Sequence, residues 1–557
     1  MLLWLVYVLF FLPALLKQNV LWLFLWQNRE YRQDKMWDYL TLPESKKVVF
    51  DTWSKIRVLV VILNLGLIFF SDLNYYVQVV GILLILFLSA FESVNYLNKA
   101  ILKKVKLPTL SAKAGLIFLF SFLSSIALPV FLFYYLTDIN LDLSTSNLFS
   151  LILWTNLVLF LVPFIMGYWI LMVFPFDLVT KNNLFKKARI YRESLKDLKT
   201  IAISGAFGKT TTKEILSFIL ESDYKVEKIL KNQNSNVSCA RRTLKLQKDT
   251  QFFICELGAY KRGDGNEISQ FIKPNASIIT GLNYQHFSLF GSEKNIILAE
   301  SESLKFLNPG EIAIVNWSSQ LCHKIEFPKG IKIIKCAIQD ENNKQEDIQY
   351  LAKNIQIDFD GSSFDLEINS GEINQTVHLH TNLPSKGTIQ NILHVIAFCL
   401  EHDLVKLSEI KRKLSRLPEI EGRMQVFAKP WGKVVYNQYN NPDGVANALE
   451  LFAKHTNEKI VVLDDLLELG NKSKEIHQKV AGEIFETKPD LVILLGRNFS
   501  DLIKNQLIAK KFPAKKIVIL ANKDYTNVKK QIRKANEKQT DALILLMGYQ
   551  SKGFLDI

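Results

Sequence analysis

Hydrophobic and polar positions divide this 557-residue chain into two parts. Up to about residue 180 the apolar positions run together without a polar face. Five such stretches, 2–26, 56–70, 75–96, 114–136 and 148–175, stand between short polar or charged loops. A helix needs roughly 20 apolar residues to cross a hydrocarbon core, so the pattern predicts a domain of about five transmembrane helices over residues 1–180. Pro13 and the run Lys17-Gln18-Asn19 interrupt the first stretch, which reads as kinked or re-entrant. It lacks the basic start and small-residue cleavage site of a signal peptide. The second is short and needs flanking residues to complete a span. A basic, amphipathic connector follows at 181–197. Beyond it, short β-branched runs alternate with amphipathic helical stretches, the pattern of parallel α/β sheets.

Composition and charge refine this division. Hydrophobic residues make up 49% of the chain and the mean hydropathy is +0.11, with the excess in the first 175 residues. Loops 28–57 and 99–113 are rich in Lys and Arg, whereas loops 71–74 and 137–147 carry Asp and neither Lys nor Arg. Basic loops stay on the cytoplasmic side. Five crossings then place the N-terminus outside and everything past Pro175 in the cytoplasm, in a multi-pass protein of the cell membrane. Glu92 is the main ionisable residue within the spans, which favours a lipid-contacting anchor over a transport channel. The net charge of +14 is scattered, without an aromatic RNA-binding pattern or a basic arm, so it points to membrane surface and phosphate rather than nucleic acid. The five cysteines show no CxxC spacing, which fits a reducing compartment and argues against zinc.

The chemistry concentrates in Thr200-Ile-Ala-Ile-Ser-Gly-Ala-Phe-Gly-Lys-Thr-Thr-Thr-Lys213. A β-branched run feeds a glycine turn, Gly205 to Gly208, and the turn opens a helix. That arrangement aims backbone N–H groups and the positive end of the helix at one point, which suits a polyphosphate. Lys209 would reach the β- and γ-phosphates and the Thr210 hydroxyl would hold Mg²⁺, with Thr211 beside it. Two residues, rather than the usual four, separate the glycines. Three asparagines and a glutamine in the turn Asn232–Asn236 lie close enough in sequence to orient an anion. The buried-strand pattern at 252–258 carries Glu256 at its carboxyl end, where a second Mg²⁺ ligand belongs. Another strand, 276–283, delivers His286.

Together these pieces resemble the Mur ligase family, ATP-dependent enzymes that build the peptide of the bacterial cell wall, and most of all its D-alanyl-D-alanine-adding branch. The resemblance rests on the Gly205–Thr211 loop, the Asn232–Asn236 turn, Glu256-Leu-Gly-Ala259, His286 with Phe290-Gly-Ser292, and Ala299-Glu-Ser-Glu302. It continues through Gly422-Arg-Met-Gln425, Asn441-Pro442 and the run from Leu466 to His477. It covers 198–557, implying a P-loop central ATP-binding domain at 198–415 and a Rossmann-like α/β C-terminal domain at 416–557. It implies that Lys209 binds phosphate, that Thr210 and Glu256 hold one Mg²⁺, and that His286 holds a second metal. Asn391 would lie against adenine and Arg423 would reach toward the phosphates. The implied reaction is carboxylate attack on the γ-phosphate of ATP, then displacement of the acyl phosphate by an amine. The partners would be an amino acid or dipeptide and a carboxylate-bearing cell-wall precursor, a lipid-linked one among the candidates.

Four features depart from the family pattern. Glu300 stands where the family has a carbamylated lysine, so a carboxylate would reach the second metal from a shorter arm. The adenine segment, Ser385 to Asn391, retains only its last Asn. The segment before Asn441-Pro442 lacks the expected ATP-contacting Asp, and the basic tail motif becomes Met547-Gly-Tyr-Gln-Ser-Lys552. No counterpart of the family's uridine-nucleotide-binding domain precedes residue 198. Two other readings stay open: a polyglutamate-type ligase of another pathway, and a membrane-tethered nucleotide-binding scaffold without turnover.

Overall fold

The computed structural model of the chain describes residues 2–41, 45, 48, 54–56, 58–59, 62, 75–102, 105, 107–136, 145–230, 233–339, 347–371, 373–430, 432–438, 441–466, 468–496, 498–520 and 541–555. The chain forms two compact units, Met1–Thr180 and Lys181–Ile557.

The first unit is helical. Its main helices are Leu2–Asn28, Tyr75–Ile101, Ala112–Leu136 and the part of Thr145–Ser194 up to Thr180. Among the described residues, three segments are long and apolar enough to cross a membrane: Tyr7–Asn28, Ala112–Leu132 and Trp154–Ser194. The expected stretch 75–96 falls within the 27-residue helix Tyr75–Ile101. The stretch 56–70, the loop 71–74 and part of loop 137–147 lie largely outside the described residues. The first helix runs unbroken through Pro13 and the run Lys17-Gln18-Asn19. Its polar residues are satisfied sideways. Lys17 pairs with buried Glu92 at 2.9 Å, Asn19 accepts from Ser121 at 2.7 Å, and Tyr7 bonds Thr155 and Asn156. Such pairs remove the cost of carrying polar groups on apolar helices.

The second unit holds two sheets. Nine strands order as β2-β3-β1-β4-β5-β6-β7-β8-β9 and six as β10-β11-β15-β12-β13-β14. In the first sheet β1 (Lys199–Ser204), β2 (Val226–Lys228), β3 (Phe252–Glu256), β4 (Ala276–Ile279), β5 (Ile312–Asn316), β6 (Lys332–Ile338) and β7 (Tyr350–Asp358) are parallel. The central strands β1, β3, β4 and β5 are buried on both faces because helices cover both. Helices Lys209–Leu220 and Lys386–Glu401 pack Ile215, Leu216, Ile219, Ile389, Ile392 and Ile396 against them. The parallel order stops at β8 (Gly361–Ser370) and β9 (Ile373–Thr381), which extend the edge as antiparallel strands. This meander was not expected from the sequence.

The second sheet has β10 (Gln425–Lys429) antiparallel to β11 (Gly432–Asn437), then parallel β15 (Ala542–Met547), β12 (Lys459–Leu463), β13 (Leu491–Leu494) and β14 (Ile517–Ile519). The connector is no loose linker. Residues 181–194 continue a helix whose Leu184, Phe185, Ala188 and Tyr191 pack with Phe271 and Ile272 of the second unit. Arg192 is buried and donates to the carbonyls of Leu195, Leu198 and Ile272 and to Thr200 Oγ1, tying the helix end to the start of β1.

Candidate active site

The loop after β1 is built by two glycines in conformations closed to other residues. Gly205 has φ 132° and Gly208 has φ 80°. A Cβ on Gly205 would stand 2.4 Å from Thr280 Oγ1, and one on Gly208 would stand 2.5 Å from Asn391 Oδ1. The Ala206 N–H donates to Gly281 O at 2.8 Å, and Thr280 Oγ1 donates to Phe207 O at 2.5 Å. The turn is therefore clamped to the end of β4. Gly208 caps helix Lys209–Leu220, whose first N–H groups have no intrahelical partner and favour an anion.

A cleft of about 390 Å³ opens over this turn. Gly208, Lys209, Thr210, Thr211, Glu256, His286, Asn391 and Arg423 all line it, so the structure gathers most of the expected residues on one wall. Lys209 donates to the Gly205 carbonyl across the loop. Thr210 Oγ1 donates to Glu256 Oε2 at 3.0 Å, and Asn234 Nδ2 donates to Oε1 of the same carboxylate at 3.1 Å. A hydroxyl and a carboxylate side by side at a phosphate cradle fit Mg²⁺, which takes one or two protein oxygens and completes its shell with phosphate and water.

A second ion is not supported by these residues as they stand. His286 Nδ1 is engaged by Glu468. Glu300 does not line the cleft: its Oε2 accepts from Ser204 Oγ at 2.5 Å and from Gly205 N at 2.8 Å. The side chain is 2% exposed and braces the back of the loop. Its shorter arm ends at the nearest donors, so of the residues expected at the metal Glu300 is the one that the structure places behind the loop and not in the cleft. Among the described residues no group of three or more His, Cys, Asp or Glu converges to hold a metal.

Asn391, expected beside adenine, abuts Gly208 and accepts from Thr212 Oγ1 at 3.2 Å. Arg423 enters the cleft from a turn in which Gly422 (φ 69°) and Met424 (φ 45°) are both left-handed. Asn232 lies outside the described residues, and Asn234 of the same turn reaches Glu256 instead.

The C-terminal domain adds residues at the cleft to which the sequence reading gave no role, although Asn441 and the run from Leu466 to His477 were part of the resemblance. Asn441 caps helix Pro442–Ala453 by accepting from Gly444 N at 2.7 Å. The next acidic residue, Asp443, accepts from Asn283 Nδ2 and lines the cleft. Burial raises its carboxyl above the usual range, against the lowering by Asn283. The Asn441-Pro442 pair was the signal for this position, since a helix start follows it. Glu468 crosses from the other sheet to His286, and the Ser288 N–H donates to the Glu468 carbonyl at 3.3 Å. Asp465 and His477 are structural. Asp465 accepts from the N–H groups of Asn498 and Phe499. His477 accepts from Leu466 N, faces Ser473 O and stacks on Phe499 at 4.0 Å.

Comparison with known proteins agrees with this layout. Residues 203–399 match the Mur ligase middle domain and residues 422–549 the Mur ligase glutamate ligase domain. The UDP-N-acetylmuramoyl-tripeptide–D-alanyl-D-alanine ligase of Haemophilus influenzae is 29% identical over 344 residues, 60% of this chain and 72% of that protein. The Rickettsia prowazekii ligase of the same name is 28% identical over 352 residues, 60% of this chain and 75% of that protein. The crystal structure of MurF from Acinetobacter baumannii shares the fold with a TM-score of 0.60 and 23% identity, over 68% of this chain and 80% of that one. The MurF ligase of Thermotoga maritima in complex with ADP gives 0.56 and 20%, over 68% and 82%.

Proposed function

Because the chain belongs to the Mur ligase family of ATP-dependent ligases by its middle and C-terminal domains, we propose that it joins a carboxylate to an amine through an acyl phosphate at a membrane. The observation that carries this reading is the juxtaposition of Lys209, Thr210 and Glu256 at the mouth of a glycine turn that opens a helix. Lys209 exchanges its bond to the Gly205 carbonyl for the β- and γ-phosphate oxygens of ATP. Thr210 and Glu256 would hold Mg²⁺, which supplies neutralisation of the charge on the transferring phosphoryl group. Arg423 approaches the same phosphates from the pivot between the domains. His286, held by Glu468, stands on the wall where the two domains meet.

The amine is a dipeptide of the D-alanyl-D-alanine kind, as the relatives' names state for those enzymes. The acid is a cell-wall peptide precursor. Residues 1–180 anchor the ligase in the cell membrane with its catalytic domains in the cytoplasm. They stand where the family has a uridine-nucleotide-binding domain, which favours a lipid-linked acceptor. The test uses the purified full chain in detergent, following ADP release with D-alanyl-D-alanine and either a lipid-linked or a soluble nucleotide-linked tripeptide. ADP release with the lipid-linked acceptor, abolished in Lys209→Ala, is expected. Preference for the soluble acceptor overturns the membrane part of the reading. No release with any acid–amine pair overturns the ligase part and leaves the nucleotide-binding scaffold.

A further inference from the structure

Lys213 lies one turn beyond Thr210 on helix Lys209–Leu220, so both side chains rise from the same face. Its ammonium has no exposure and lies 3.4 Å from Glu256 Oε2, the oxygen that receives the Thr210 hydroxyl, and 3.3 Å from Glu214 Oε1. Glu214 is in turn held by Lys228 at 2.8 Å, so it is shared between two cations. Burying an ammonium is costly unless it is paired. Here the pairing is with the one carboxylate of the phosphate cradle that suits a divalent ion.

We infer that Lys213 is a positioning residue that keeps the cradle closed to a free divalent cation and opens it to a metal–nucleotide complex; this rests on the reading of the cleft as an ATP site. Two consequences follow from the charges. Lys209, Lys213 and Lys228 outnumber Glu256 and Glu214, so this cluster is positive before nucleotide arrives. It repels hydrated Mg²⁺ and attracts a triphosphate. The same ammonium, with Asn234 on the other carboxylate oxygen, holds Glu256 against Thr210, so the carboxylate is in place when the phosphates bring the metal. A lysine present only to fasten the helix to β3 has no bearing on metal affinity once the fold is intact.

The experiment is a Mn²⁺ titration of the purified full chain, followed by electron paramagnetic resonance of free Mn²⁺. In the wild type, a non-hydrolysable ATP analogue is expected to tighten Mn²⁺ binding at least about a hundredfold relative to protein alone, after subtraction of the Mn²⁺ that the analogue holds in protein-free buffer. In Lys213→Met, which keeps the apolar stem, Mn²⁺ binding without nucleotide is expected to tighten about tenfold. The gain disappears when Glu256→Gln is added. Equal wild-type affinity with and without the analogue overturns the proposal, and so does unchanged or weaker binding in a folded Lys213→Met. If that variant does not fold, Lys213→Gln is titrated in its place, and unchanged or weaker Mn²⁺ binding in that variant overturns the proposal. No acid or amine substrate enters these titrations, so failure of the ligase reading in ADP release leaves them interpretable.

Discussion

Glu300→Gln separates a loop brace from a metal ligand. The carboxylate is 2% exposed and takes the Ser204 hydroxyl at 2.5 Å and the Gly205 N–H at 2.8 Å. Glutamine keeps the shape and still offers a carbonyl oxygen, but the bonds lose their charge assistance. Hydrogen bonds to charged groups contribute about 1.5–3 kcal/mol each against about 0.5–1.5 for neutral pairs, so two bonds lose roughly 2–3 kcal/mol. For a domain of this size that lowers the melting transition by about 5–10 °C. The assay pairs thermal unfolding of the full chain, followed through the transition that nucleotide protects, with the Mg²⁺ dependence of ADP release. The expected result is the lower melting transition with Mg²⁺ half-saturation changed by less than about twofold, since the loop loses a support and the ion loses nothing. A tenfold rise in the Mg²⁺ requirement at an unchanged melting transition would refute the reasoning and return Glu300 to the metal.

Three further outcomes are expected. Gly208→Ala forces a side chain into a left-handed position with its Cβ 2.5 Å from Asn391 Oδ1; fluorescent-nucleotide binding should weaken at least about tenfold, and adding Asn391→Ala should restore part of it. Glu468→Gln removes the charge facing His286 across the domains, and steady-state ADP release should fall about fivefold with the ATP KM little changed, the scale of a partly exposed pair. His394 is buried, with Nδ1 lacking a hydrogen-bond partner among the described residues and its pKa lowered to about 3 by burial. It stays neutral when folded but charges on unfolding below about 6.5, so stability is full above that pH and is lost as pH falls toward 3. Denaturant midpoints should show about 3 kcal/mol of this loss between pH 7 and 4.5, and His394→Gln should remove that part.

The glycine turn was legible because strand, turn and helix each carry their own local signal: β-branched residues before Gly205, positive φ at both glycines, and an amphipathic run after Lys209. Strand Lys459–Leu463 falls on the residues that the apolar run marks, because a strand buried on both faces has no polar position to blur its ends. Strands β7 to β9 were missed for the opposite reason. Their alternation is weak on β9, where most residues are exposed, although the turns at Asp360-Gly361 and Ser370-Gly371 announce hairpins. Glu300 shows a further limit. Its place in the chain was readable, but a side chain's direction depends on which donors it meets, and Ser204 and Gly205 lie about a hundred residues away in sequence. The connector was legible as amphipathic: Lys186, Lys187 and Arg189 are exposed, and the apolar stripe beside them, Leu184, Phe185, Ala188 and Tyr191, packs with Phe271 and Ile272.

The cleft lies where the carboxyl edges of two sheets face one another. The loop after β1 supplies the glycine turn, the end of β3 supplies Glu256, and the segment after β4 supplies His286. From the other sheet, the segment after β11 supplies Asn441 and Asp443, while Asn283 and Glu468 lie behind the lining as the partners of Asp443 and His286. Ligands of open α/β sheets bind outside the carboxyl ends of the strands, and here two such edges meet with side chains already paired across them, Asn283 with Asp443 and His286 with Glu468. A reaction that activates an acid on one substrate and delivers an amine from another needs two binding edges in register and water kept from the reactive intermediate. The cross-domain pairs fix the spacing of the two edges.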